Sequence, residues 1–410
     1  MHNIVKARRW TIACATCVIG ALTMDSAVAL SGGPFAFVPS NSPKANTFSV
    51  VNLSSKTAGA PVVVDPDGTI TGQTTAFFGV ALSPATGMLF LSDDGQTESV
   101  FQVDISKIGT ASNPAVKRYF VGNNPRGLAV DPSGRHVYVA QFGVDAVSIL
   151  DTTVNTSQDH TAGIPFVDFA NLTNKLNIPA KPFDVKLNLG GTVAYVSDSS
   201  INQRVCRFAT SPAPASVSDS DCVAVGTDPD SETANPNQLA VSPDGTRVYV
   251  VNNSDSSVSV IDTTHVDPTT HKPILQVVRS FKLGFSGPNG IVIHPSGKRA
   301  YVGTSGGLIL SLDLLLADNN QGATPPNPVV HNLTNANIFG VQGLAISPDA
   351  TRLLAADFSN SKLHFINIVN AADSYDTSVP VNSGPKSFGQ FATPDDRIFV
   401  SPFGSTAAGH

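Results

Sequence analysis

Apolar and polar positions along this chain fall into short runs that repeat. In residues 236–264, PNQLAVSPDGTRVYVVNNSDSSVSVIDTT, an unbroken apolar run at Leu239-Ala240-Val241 meets a Ser-Pro-Asp-Gly stop. A β-branched and aromatic run follows at Val248-Tyr249-Val250-Val251, then a polar break, then Ser257 to Asp262, where polar and apolar residues take turns. Unbroken apolar runs suit strands buried on both faces, and strict alternation suits a half-buried strand. Proline presets φ and glycine takes the positive-φ place of a tight turn, so Pro243-Asp244-Gly245 predicts a hairpin between the first two strands. A fourth, outer strand is expected over residues 274–283.

The same unit is written seven times: FFGVALSP (77–84), PRGLAVDPSGRHVYVAQF (125–142), PFDVKLNLGGTVAYVSD (182–198), PNQLAVSPDGTRVYVVN (236–252), PNGIVIHPSGKRAYVGT (288–304), VQGLAISPDATRLLAAD (341–357) and PKSFGQFATPDDRIFVSP (385–402). The aligned turn positions, 84, 132, 189, 243, 295, 348 and 394, lie 46 to 57 residues apart. A period near fifty with several short strands per unit is the signature of a β-propeller. No long stretch sustains a helical period, and glycine and proline are scattered throughout. The pattern predicts an all-β chain, a seven-bladed β-propeller of four-stranded antiparallel blades in which stacked blades bury faces that none could bury alone.

The ends are incomplete in complementary ways. FAFVPS (35–40), TFSVVNL (47–53) and PVVVD (61–65) read as strands two to four, while FGQFAT (388–393) and RIFVSP (397–402) read as strands one and two. Combining them in one blade closes the ring and leaves no long free edge. FAFVPS and RIFVSP compete for one place in it.

Ahead of the repeats, Lys6, Arg8 and Arg9 precede an apolar run from Trp10 to Met24 and then Ala27-Val28-Ala29. That layout is a secretory signal peptide, the apolar run being shorter than the ~20 residues that span a bilayer. Residues 1–29 are expected to be cleaved and residues 30–410 to form a single domain, exported to the periplasm or beyond the cell. Cleavage removes Lys6, Arg8, Arg9 and Asp25 from totals of 25 basic and 31 acidic residues, leaving 22 against 30, a net charge of −8. A net acidic chain argues against nucleic acid as a partner, and no later segment is apolar enough for membrane insertion, so a soluble monomer is expected. Cys14 and Cys17 leave with the leader, and Cys206 and Cys222 remain to pair in an oxidising compartment.

With Pro243-Asp244-Gly245 before it and Val260-Ile261-Asp262 after it, Tyr249-Val250-Val251-Asn252 resembles the YVTN-type (YncE-like) β-propeller repeat. The resemblance covers nearly the whole mature chain and speaks to fold more than to activity. It implies kinship with secreted or periplasmic propellers, with surface-layer repeat proteins and with a lactonase-like branch related to 6-phosphogluconolactonase, which GPNGIVIHPSGKRAYV (287–302) is most similar to. Trp10, the only tryptophan, lies in the leader, so Trp-Asp repeats and tryptophan docking motifs are missing. No Cys-x-x-Cys-His awaits a haem, and of the only glutamates Glu98 falls in an outer hairpin and Glu232 in a loop, away from a central channel.

Antiparallel order puts the starts of the first strands and the ends of the second strands on one face of the ring, around the mouth of the channel. The first-strand starts supply Phe78, Arg126, Phe183, Asn237, Asn289, Gln342 and Lys386. The second-strand ends supply Asp93, Gln141, Asp198, Asn252, Thr304 and Asp357. Of these, Arg126, Lys386, Asn237, Asn289, Gln342, Asn252 and Gln141 are the candidate ligand-binding residues. Two cations and three carboxylates among amides suit a small polar or anionic ligand, and Arg126 has the forked geometry that carboxylate or phosphate prefers. The same oxygens are of the kind that hold a hard divalent cation, although no metal or cofactor motif calls for one. Turn residues satisfying their own backbone account for the same residue types. His294 occupies a turn place that Asp131 and Ser242 hold in sister copies, and no spacing among the histidines resembles a zinc site.

The leading functional expectation is a binding or scaffold module with a ligand or protein-partner site at the channel mouth. The alternative is a hydrolase of sugar lactones, with Asp198 or Asp357 activating water and Arg126 or a cation polarising the carbonyl. A structural cell-surface protein is the third reading.

Overall fold

The computed structural model describes residues 34–42, 46–64, 75–109, 115–153, 166–168, 180–227, 234–319, 326–333, 337–369 and 373–389. The leader, residues 1–29, and the RIFVSP stretch lie outside them. The described strands make seven sheets arranged as blades in a ring, with little helix beyond the short segment Leu314–Asp318. Blade one contains Phe77–Ser83, Met88–Asp93, Ser99–Asp104 and Ala115–Phe120, and blade two Pro125–Val130, His136–Gln141, Ala146–Asp151 and Phe166–Asp168. Blade three contains Pro182–Leu187, Val193–Asp198, Arg204–Ala209 and Cys222–Ala224, and blade four Pro236–Val241, Arg247–Asn252, Ser257–Asp262 and Gln276–Lys282. Blade five contains Pro288–Ile293, Arg299–Thr304, Ile309–Asp313 and Val329–Leu333, and blade six Val341–Ile346, Arg352–Asp357, Lys362–Asn367 and Ser374–Pro380. In each of these six blades the strands pair antiparallel in chain order.

Blade seven joins the two ends of the chain, as the complementary halves require. Phe35–Pro39 lies against Thr47–Asn52, which carries the short strands Thr57–Ala58 and Val62–Val63 on its other side. FAFVPS thus takes the second-strand place. The inner place is filled from the C-terminal side, where Pro385 bridges Ser40 and Lys386 N donates to the Pro39 carbonyl at 3.2 Å. Phe388 and Gly389 then pair parallel with Gly79 and Val80 of blade one.

Two devices hold neighbouring blades together. In four successive blades the tyrosine of the second strand is buried and its hydroxyl reaches the next blade: Tyr138 to Thr210, Tyr195 to Thr263, Tyr249 to Asp318 at 2.7 Å, and Tyr301 to Asp373 at 3.3 Å. Buried hydroxyls need such partners, so the recurring tyrosine is at once an apolar filler and a polar staple. The equivalent residues in blades six, seven and one are Leu354, Phe37 and Phe90, which have no hydroxyl. There apolar clusters take over: one runs from Leu354 and Phe365 through Phe37 and Phe48 to Phe77 and Phe101, and Phe90 joins another with Leu128 and Val139 of blade two.

The first strands approach one another closely at the axis. A Cβ on Gly79 would collide with the carbonyl oxygen of Arg126, and one on Gly343 with that of Ser387. Glycine is required at both places by space, since these are backbone atoms that cannot step aside. Cys206 and Cys222 face each other across the third and fourth strands of blade three and are joined by a disulfide.

Candidate functional site

The hairpin register brings the first residue of each inner strand opposite the last residue of the second strand: Phe77 with Asp93, Pro125 with Gln141, Pro182 with Asp198, Pro236 with Asn252, Pro288 with Thr304 and Val341 with Asp357. The Pro385–Ser40 bridge supplies the seventh pair, so Ser40 completes a ring that the sequence left one member short. In six blades the register shifts directly after this pair. A bulge re-aims the residue that follows, and those residues are Phe78, Arg126, Phe183, Asn237, Asn289 and Gln342.

The second-strand ends behave differently. Asp93, Asp198, Asn252, Thr304 and Asp357 are wholly buried and Gln141 nearly so. Asp198 accepts hydrogen bonds from the backbone of Lys181 at 2.8 Å and Ser200 at 2.9 Å. Asp357 accepts from Phe339 N, Ser359 N and Asn360 N at 3.0 to 3.2 Å, and its side-chain neighbours are Asn360 Nδ2 at 3.0 Å and His364 at 3.1 Å. Burial opposes its ionisation, but the bonds from His364, Phe339 and Asn360 prevail and hold the Asp357 carboxyl below its ordinary range. Gln141 donates to the Val121 carbonyl at 2.6 Å, and Asn252 to Ser257 and Ser259 at 2.9 and 3.0 Å. The weak catalytic candidates Asp198 and Asp357, and the ligand candidates Gln141 and Asn252, are thus placed inside the blades as turn caps, without an accessible face for water or ligand.

The residue one further along is the one that reaches the next blade. Asn41 donates to the Phe77 carbonyl, Ser199 meets Pro236, and Asn253 donates to Pro288 O at 3.0 Å and Asn289 Oδ1 at 2.9 Å. Asp94 approaches Arg126, and Phe142 packs edge-on against Phe183 with centroids 6.1 Å apart. A slip of one position turns a strand residue to the opposite face, which is why the alignment found the right turn and the neighbouring side chain.

Around half of the mouth these residues build a cluster of cations and aromatic rings. The Arg126 guanidinium carbon lies 3.5 Å from the Phe142 centroid and 5.0 Å from those of both Phe78 and Phe183. Phe78 and Phe183, from blades one and three, meet edge-to-face across Arg126 at 5.6 Å. Lys386 places its ammonium 4.6 Å from Phe78 and 5.9 Å from Phe358. Asp94 Oδ2 stands 3.6 Å from Arg126 Nε, which is itself buried and without a hydrogen-bond partner. Burial lowers the pKa of Arg126, against the pull of Asp94. Burial likewise lowers that of Lys386, with Asp94 opposing and Arg126 adding to the effect. Asp94 is pushed up by burial, against the attraction of Arg126 and Lys386. Three charged groups therefore share a site from which water has been largely removed, where charge–charge forces are stronger than in bulk.

The other half of the mouth carries amides. Asn289 is tied to Asn253 and, at 3.4 Å, to the Val341 carbonyl, whereas the side chains of Asn237 and Gln342 make no hydrogen bond among the described residues. Just below, the channel holds a pair that sequence reasoning passed over. Asp184 is fully buried, accepts from Val185 N and Leu239 N, and receives Lys186 Nζ on both oxygens at 2.6 and 2.7 Å. Its signal was present as an acid and a lysine two residues apart, where sister first strands place Gly79 and Ala81, or Gly127 and Ala129.

Gly303-Thr304-Ser305-Gly306-Gly307 has the G-x-S-x-G spacing of a nucleophile elbow. That elbow needs a strand-to-helix turn, and here the string links two antiparallel strands of blade five. His294 bonds Ser296 within its turn and the Ala350 carbonyl of the next blade at 3.1 Å. No cluster of three or more metal-ligating side chains occurs among the described residues.

No protein-family model and no curated protein sequence matches the chain. Solved structures do match, over most of the chain. A periplasmic gluconolactonase of Pseudomonas aeruginosa is similar with TM-score 0.65 at 14% identity, over 86% of this chain and 97% of that one. A 6-phosphogluconolactonase, so designated provisionally, from Bacteroides fragilis gives 0.62 at 12% identity, over 87% and 98%. Hydrazine synthase of Kuenenia stuttgartiensis gives 0.60 at 18% identity, over 85% and 99%. The shared property is the fold. At these identities a lactonase and a hydrazine synthase are equally good architectural matches, so the chain's own mouth residues must carry any functional argument.

Proposed function

We propose that the chain is an exported propeller that binds a small anionic, hydroxyl-bearing ligand at the channel mouth. One observation carries the reading: among the described residues, Asp94 is the carboxylate that acts on both Arg126 and Lys386, leaving a net positive charge in a largely desolvated site. An anion is the natural complement, with the in-plane N–H groups of Arg126 offered to it because the ring of Phe142 covers one face. The side chains of Asn237 and Gln342, which make no hydrogen bond among the described residues, suit hydroxyl groups on the same ligand. The disulfide agrees with an oxidising compartment, as the leader-like N-terminus suggests.

The test is thermal unfolding with sulfate, phosphate, gluconate and glucono-lactone. A ligand that binds the folded state alone must raise the apparent stability. Shifts are expected with the anions and should vanish in Arg126→Met. Absence of any shift with millimolar anions would sink the reading.

Lactone hydrolysis is the second reading, carried by the position of Asp94 beside Arg126. With Asp198 and Asp357 closed off inside their blades, Asp94 is the carboxylate available as a general base, and Arg126 would stabilise charge developing on the carbonyl oxygen. Base-consuming hydrolysis of glucono-lactone, lost in Asp94→Asn while gluconate still binds, would establish it.

A further inference from the structure

The second cation of the mouth belongs to the segment that closes the ring. Among the described residues, the segment 384–389 is tied by Asn41 N to the Gly384 carbonyl at 2.8 Å, Gly384 N to Ser361 Oγ at 3.4 Å, Lys386 N to Pro39 O at 3.2 Å, and Ser387 N to Gln342 O at 3.3 Å. Within the described residues, Phe388 and Gly389 pair with Gly79 and Val80 of blade one, so the segment spans the junction between blades seven and one. Docking this segment carries the Lys386 ammonium out of water to within reach of Phe78 and into the field of Arg126. Like charges brought together in a desolvated place oppose docking, and Asp94 offsets only one of them.

We infer that anion binding at the mouth is linked to ring closure, the ligand acting as the clasp between Arg126 of blade two and Lys386 of the closing segment. The inference rests on the reading of the mouth as an anion site. An anion seated between the two cations contacts both only when residues 384–389 are docked. It therefore binds the closed ring in preference to the opened one and shifts the population by that difference in affinity. Closure also completes the site, since undocking takes away one of the cations around Phe78 and Phe142 and leaves Arg126 and Lys181. The close approach of Gly343 to the Ser387 carbonyl means that docking is a fitted contact, so the closed and open arrangements are distinct.

Amide hydrogen exchange, with sulfate as the probe, tests the linkage. Sulfate at ten times its dissociation constant should slow exchange at the Lys386 and Ser387 amides by about tenfold and leave the Val250 amide of blade four unchanged. Lys386→Met, which keeps the packing on Phe78 but not the charge, should slow the Ser387 amide without sulfate and make it insensitive to sulfate, and Lys386→Gln serves if that variant fails to fold. A sulfate-induced rise in melting temperature with no change at these two amides overturns the linkage and leaves the anion site standing. Equal slowing in every blade, or faster exchange in Lys386→Met, overturns it as well. No rise in melting temperature removes the anion site itself.

Discussion

The Arg126 guanidinium is stacked on the Phe142 ring, 3.5 Å from its centre, and both residues come from the same hairpin of blade two. The pairing of Pro125 with Gln141 sets them side by side, each one residue past the pair. Cation and ring attract through the ring quadrupole, worth about 1 kcal/mol in a partly desolvated site. Phe142→Leu keeps the apolar volume and removes that attraction. It should destabilise the protein by about 1 kcal/mol, and a double-mutant cycle with Arg126→Met in urea unfolding should return a coupling of about the same size. A coupling indistinguishable from zero would mean that the stack is incidental.

Asp94 competes with any anion for the two cations, which gives binding a defined pH dependence. Its pKa is raised by burial, so protonation as pH falls through that raised value removes a negative charge from the site. Sulfate, which stays doubly charged there, should therefore bind more tightly in mild acid than at neutral pH. On the alkaline side affinity should fall as Lys386, whose pKa burial lowers from 10.5, gives up its proton. Asp94→Asn should raise sulfate affinity at pH 7 by on the order of tenfold and erase the acid limb, while Lys386→Met erases the alkaline limb. Titration calorimetry across pH measures both limbs.

Two glycine substitutions separate space from conformation. Gly79→Ala places a methyl group against the Arg126 carbonyl, a backbone atom, and should cost about 3 kcal/mol and displace Arg126 enough to weaken anion binding. Gly245→Ala, at φ +73° with open space around it, should cost about 1 kcal/mol through backbone strain alone and leave binding untouched. Urea unfolding and sulfate titration of the two variants distinguish the mechanisms.

The Cys206–Cys222 bond closes a loop with a sequence separation of 16. In the chain-entropy account a loop of that size is worth about 3 kcal/mol, so reduction should lower stability by that amount. Sulfate affinity should not change, because the bond lies in the third and fourth strands of blade three and the mouth is built from first and second strands. Unfolding with and without a reductant, at matched sulfate, measures both effects.

The fold was legible because its determinants are local: Pro-Asp-Gly turns, period-two alternation and β-branched runs can each be read within ten residues, and seven copies average out the weak ones. The candidate site was legible in part. Arg126 and Lys386 emerged from counting forward from the turns, and the bulge that aims Arg126 at the mouth leaves that count intact. Asp94, Phe142 and Phe358 escaped because their sisters are Asn41, Ser199, Asn253 and Ser305, a set with no common chemistry for an alignment to register. Asp198 and Asp357 stood out in the sequence because a buried turn cap and a catalytic acid use the same residue type; their burial and backbone partners are visible only in the three-dimensional contacts.

The tyrosine hydroxyls link blades two to six, whereas the junctions on either side of blade seven combine one apolar cluster with the Lys56–Asp376 ion pair, the bond from Arg352 to the Leu53 carbonyl and that from Asn41 to the Phe77 carbonyl. Apolar burial loses strength in the cold while hydrogen bonds do not, so at both kinds of junction the directed polar bonds are what resists cooling.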